Sequence, residues 1–126
     1  MLGSRAMSPP PPQKAETALR RRMRGCRFFA DLDERELQEL EPTCSLSTLR
    51  RGEYLWRHGA ESQNFHHIVS GLVEIRRPTP SAEVTLMAFF GPTECPGVPV
   101  VLERRRYGAD AVVASTQAVV LSINAV

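Results

Sequence analysis

The sequence is poor in cysteine: Cys26, Cys44 and Cys95 are its only three, far apart and without a CxxC pair. That excludes a disulfide framework and a zinc knuckle, and it suits reduced thiols in the cytoplasm. Long apolar runs are also missing. No stretch approaches the roughly eighteen apolar residues of a membrane span, and no apolar segment follows a basic start as in a signal peptide. The expectation is a cytoplasmic protein with no membrane partner. Charge of one sign is scarce, with 16 Lys and Arg against 14 Asp and Glu, so electrostatics alone gives no argument for nucleic acid. The arginines gather in two runs, Arg20 to Arg24 and Arg104 to Arg106, which read as solvated faces or loops. A Gly-x-Ser-x-Gly elbow, a Gly-rich phosphate loop and a nucleophile paired with a base are all absent, so catalysis is not expected.

What is present begins with a proline-rich head. Residues 1–13 hold Pro9 to Pro12, a composition that buries no surface and favours an extended chain, and they are expected to be disordered. Residues 14–126 fit one small domain. From Ala15 to Arg24 helix formers dominate, with Ala18, Leu19 and Met23 on one face and Gly25 as the stop. Asp33 and Glu36 form a capping box for a second helix, whose buried side is Leu37 and Leu40 and which Pro42 closes. Beyond Pro42 the period becomes two, interrupted at Gly52, Gly59, Gly71 and Gly91. Seven strands are predicted: Ser45 to Leu49, Tyr54 to Arg57, Phe65 to Ser70, Leu72 to Arg76, Val84 to Phe90, Ala111 to Ala114 and Ala118 to Ile123. The fold class is mainly β with flanking helices, closed as a roll of the jelly-roll, double-stranded β-helix type.

Two segments, Leu55-Trp56-Arg57-His58-Gly59 and Phe65-His66-His67-Ile68-Val69-Ser70-Gly71-Leu72-Val73-Glu74-Ile75, resemble the cyclic nucleotide-binding domain of the catabolite-activator and fumarate-nitrate-regulator (Crp/Fnr) family. Gly52, Gly59 and Gly71 stand where that family turns, and the likeness runs from about Phe28 to Val126. Tight turns between twisted strands need positive φ, which only glycine adopts without penalty. By the resemblance, Pro96-Gly97-Val98-Pro99-Val100-Val101-Leu102 takes the place of the phosphate-binding cassette. Members that bind cyclic AMP place a Gly-Glu pair there and an Arg-Ser or Arg-Thr pair further on, because a buried phosphate needs a guanidinium and amide donors. This chain keeps Gly97 but has Val98 for the glutamate, and Gly108 and Ala109 at the arginine and serine positions. The resemblance thus implies a degenerate pocket of Gly97, Val98, Pro99, Gly108 and Ala109, with Arg106 as the one cation that a slipped loop could bring in.

No cofactor is expected, although haem remains open because some relatives sense gases through it and an inward imidazole could ligate iron. The candidates are His66 and His67, which as neighbours on a strand point to opposite faces. An iron-sulfur cluster lacks its cysteines. Cys95 reads as packing, and Trp56 and the phenylalanines as core. In the family the last strand leads into a dimerisation helix and a DNA-reading winged helix. The expectation here is an effector-sensing domain truncated before both, with an unknown small-molecule effector, a homodimer in the full-length member, and DNA contact only through the missing part. Such truncation would expose an apolar edge near Val119 to Val126 and favour self-association. A regulatory module without DNA binding, and a small cupin-like metalloenzyme, are the alternatives; the cupin lacks a histidine after His67.

Overall fold

The computed structural model describes residues 17–81 and 83–125, so the proline-rich head lies outside the described residues. Thr17 caps the first helix, α1 (Ala18–Arg24), by accepting the Arg20 amide at 3.0 Å. Gly25 ends it in a right-handed rather than a left-handed conformation. Met23 is fully buried and Leu19 packs beside it, whereas Ala18, expected on the same face, is exposed. The capping box of α2 (Glu34–Leu40) is complete: Asp33 Oδ1 accepts the Glu36 amide at 2.9 Å, and Glu36 Oε1 accepts the Asp33 amide at 3.0 Å. A turn of 3₁₀ helix holding Pro42 follows. The first arginine run is not simply solvated. Arg20 binds Glu41 and Glu34, and Arg24 binds Glu34, tying α1 to α2.

The strands are β1 (Cys44–Arg50), β2 (Tyr54–Trp56), β3 (Asn64–Ser70), β4 (Val73–Pro78), β5 (Val84–Phe90), β6 (Asp110–Val113) and β7 (Gln117–Asn124), with α3 (Val98–Leu102) between β5 and β6. They form two antiparallel sheets, ordered β1-β7-β3 and β2-β6-β4-β5. Gly52, Gly59 and Gly71 all have positive φ, as the turns demand. Gly91 does not; after β5 the left-handed residue is Thr93.

In the three-stranded sheet the middle strand, β7, is buried on both faces. Leu121 and Ile123 of β7 meet Met23, Cys26, Phe29 and Leu37 on the helical side. Ala118 and Val120 turn inward, with Val113, to the interior of the roll. Burying both faces of β7 anchors the core, since each large aliphatic side chain removed from water contributes roughly 1.5–3 kcal/mol. This corrects the expectation of an exposed apolar edge at the end of the chain: Val120, Leu121 and Ile123 are buried because β7 is the middle strand. A cluster of exposed apolar side chains stands instead on β5, an edge strand, where Val84, Leu86, Met87 and Phe89 are each about half exposed or more.

Candidate functional site

The mouth of the roll is built around Gly97. Its φ of +81° starts α3 without a side-chain cap, and it brings the backbone onto an aromatic pair. A Cβ at this position would lie 3.0 Å from Trp56 and 3.2 Å from Tyr107. Trp56 and Tyr107 are stacked, with centroids 4.0 Å apart and rings 7° from parallel. Trp56 Nε1 donates to the Ala109 carbonyl at 2.9 Å, fixing the indole across the β2–β6 pairing. Tyr107 is buried, its hydroxyl has no hydrogen-bond partner among the described residues, and burial pushes its pKa up to about 12.

Beside this pair lies a cavity of about 380 Å³. Trp56, Tyr107, Ile75, Met87, Phe90 and Val100 give it apolar walls, and Gly97, Gly108, Ala88 and Ala109 give it small ones. Its charged members are Arg77 and Arg105; no carboxylate lines it. Of the residues expected at the pocket, Gly97, Gly108 and Ala109 come together here, while Val98 and Pro99 sit in α3 outside the lining. Arg106 points elsewhere. It donates from Nη1 to the Gly59 carbonyl at 2.9 Å and pairs with Glu61 at 3.2 Å, beside a second cavity of about 460 Å³ on the far side of the loop. Arg104, with φ of +55°, reverses the chain after α3, and it is Arg105 that reaches both cavities.

Arg77 and Arg105 lie outside the set of pocket residues expected from the sequence. For Arg77 a signal existed: the inward positions Val73 and Ile75 continue by alternation to Arg77, and β4 runs on to Pro78 rather than stopping at Arg76.

The two histidines do face opposite ways. His66 turns inward, its ring 5.5 Å from that of Trp56 and its Nδ1 3.0 Å from Ser122 Oγ. His67 turns toward the helices, where its Nδ1 lies 3.5 Å from Cys95 Sγ. Burial pushes the Cys95 thiol up to about 11, and it raises Cys26 and Cys44 as well, so all three are held as neutral thiols. Among the described residues no three His, Cys, Asp or Glu side chains gather as a metal site, and no helix is long and apolar enough to cross a membrane.

Burial also lowers His66, from 6.5 to about 4. The folded state therefore holds this imidazole neutral, whereas the unfolded chain takes up a proton near 6.5. The stability it contributes is complete above pH 6.5 and is lost as pH falls toward 4, about 2 kcal/mol of it by pH 5. Urea titrations at pH 7.5 and pH 5 are expected to show that loss, and His66→Phe is expected to remove most of it. Equal pH dependence in the two proteins would refute the assignment.

A short helix with a left-handed cap leans over an apolar cup lined by the four-stranded sheet and the loop before β6, which defines a small β-roll. The model of the family described as "Cyclic nucleotide-binding domain" matches residues 46–126, and the chain belongs to that family. Similar solved structures include the N-terminal domain of a transcriptional regulator from Streptomyces coelicolor A3(2), with 27% identity, 76% of this chain and 66% of that one covered, and a TM-score of 0.63. The sensor domain of the transcriptional regulator DNR from Pseudomonas aeruginosa has 22% identity, coverage of 83% and 70%, and a TM-score of 0.70. A regulatory subunit of a cAMP-independent protein kinase A from Trypanosoma cruzi, bound to guanosine, has 24% identity, coverage of 84% and 38%, and a TM-score of 0.68. The chain spans less than half the length of several of its structural matches, 48% of one and 37% of another. No curated protein matches the sequence.

Proposed function

We propose that this chain is the effector-sensing roll of a transcription regulator of the catabolite-activator and fumarate-nitrate-regulator type, and that its cup takes a small molecule other than a cyclic nucleotide. The observation that carries the reading is the cavity itself: no carboxylate lines it, and Gly108 and Ala109 stand in its wall. A ribose hydroxyl would find no carboxylate acceptor there, and Gly108 and Ala109 offer a cyclic phosphate neither the arginine nor the hydroxyl side chain that the resemblance places at those two loop positions. The fold itself tolerates other occupants, since the T. cruzi subunit holds guanosine. In such a regulator, occupancy of the cup shifts α3, and output runs through a homodimer and a separate DNA-reading part.

Haem has no place in this reading, because a macrocycle ligated by His66 would need the space that the Trp56 ring takes beside it. Calorimetry is the direct test. Cyclic AMP and cyclic GMP are expected to bind no more tightly than millimolar; micromolar affinity for either would overturn the proposal. An absorbance scan of the purified protein with added haemin is expected to show no Soret shift attributable to a bound imidazole.

A further inference from the structure

The charge of the cavity is one-sided. Arg105 is partly answered, since its Nε donates to Glu103 Oε1 at 2.6 Å. The Arg77 guanidinium has no hydrogen bond or ion pair among the described residues. It sits on β4 opposite Thr85 of β5, and its Nη2 lies 3.8 Å from where a Cβ on Gly108 would be. A guanidinium from the sheet wall thus reaches the loop position where, by the family resemblance, an arginine would otherwise rise from the loop.

We infer that Arg77 is the anion-holding residue of the cup, and that the ligand is a flat apolar monoanion whose ring lies along the Trp56 and Phe90 walls with its carboxylate on Arg77. The inference rests on the cup being the effector site proposed above. Its chemistry follows from the lining. A carboxylate on a guanidinium beside apolar walls is a charge-assisted, often bidentate contact, here at the exposed rim of the cup where Arg77 stands. The rest of the cavity offers dispersion and ring stacking, and its volume suits a bicyclic molecule. Because no carboxylate lines the cup, the ligand gains nothing from a row of hydroxyl donors, and an acidic wall does not repel its charge.

The protein contains one tryptophan, so the Trp56 indole N–H gives a single resonance at the wall of the cavity. We would titrate the isotope-labelled full chain with 1-naphthoate and, as a neutral isostere, 1-naphthamide. The wild type is expected to bind the carboxylate at least tenfold more tightly than the amide. In Arg77→Gln that preference should vanish while amide binding is unchanged, and Arg77→Lys should recover part of it. A preference that survives in Arg77→Gln, or equal affinity for the two probes in the wild type, would overturn the role of Arg77 while leaving the cup as a binding site. If neither probe moves the Trp56 resonance at millimolar concentration, the cup is not an apolar ligand site and the proposed function falls with the inference.

Discussion

Gly71→Ala is expected to lower the stability of the domain by roughly 2 to 5 kcal/mol, a large share of the roughly 5–15 kcal/mol that holds an ordinary domain folded. Two causes add. Gly71 has φ of +97°, a conformation in which any side chain is strained by about 1–2 kcal/mol. Its turn is also pressed against β7: an added methyl would lie 2.5 Å from the Gln117 carbonyl oxygen and 2.6 Å from Ala118 Cα. Those are backbone atoms of the central strand, so they cannot yield as a side chain would, and overpacking costs a further 1–3 kcal/mol or more. Gly52 and Gly59 supply the control. Both have φ of +88°, and nothing lies within 4 Å of where a methyl would stand at either. Alanine there is expected to cost only about 1 kcal/mol. Chemical denaturation of the three variants tests the contrast; similar midpoints for all three would sink it.

Trp56→Ala is expected to cost about 3–5 kcal/mol, the usual range for deleting a buried large aromatic. The indole is 8% exposed, stacks on Tyr107, supports Gly97 and donates to the Ala109 carbonyl. Removing it leaves that carbonyl without its indole donor and opens a void continuous with the 380 Å³ cavity. Trp56→Phe keeps a ring on Tyr107 and loses the donor, so about 1–2 kcal/mol is expected. Circular dichroism in urea reads both, since neither variant retains a tryptophan for fluorescence. Equal losses for the two would show that the hydrogen bond, not the stacked ring, supports the mouth of the roll.

Local pattern made much of this fold legible. The capping box at Asp33 and Glu36 could be read because all its parts lie within four residues. The expected Val84 to Phe90 strand matches β5, and the other six strands differ from expectation by one or two residues at their ends. What could not be read depends on contacts between distant segments. The three turn glycines look alike in sequence, and only the packing of Gly71 on β7 separates it from Gly52 and Gly59. From Ala118 to Ile123 nearly every residue is apolar, which fits an unfinished edge as well as a strand covered on both sides; pairing with both β1 and β3 decides.

The candidate site was legible in part for the same reason. Gly97, Gly108 and Ala109 could be placed by counting from motifs. Which arginine enters the cup depends on the left-handed Arg104, and no periodicity encodes that reversal. Arg77 arrives from the opposite wall, at a shift in the β4–β5 register between Ile75 and Arg76 that leaves Met87 unpaired.

The place of β7 between β1 and β3 also governs how the domain can form during synthesis. β1 and β3 have no hydrogen-bonded contact with each other, and both must wait for residues 117–124 to emerge from the ribosome before their sheet exists. Until then Met23, Cys26 and Phe29 lack the Leu121 floor they rest on. Closure therefore comes late and depends on contacts far apart in sequence, the kind of topology that folds slowly.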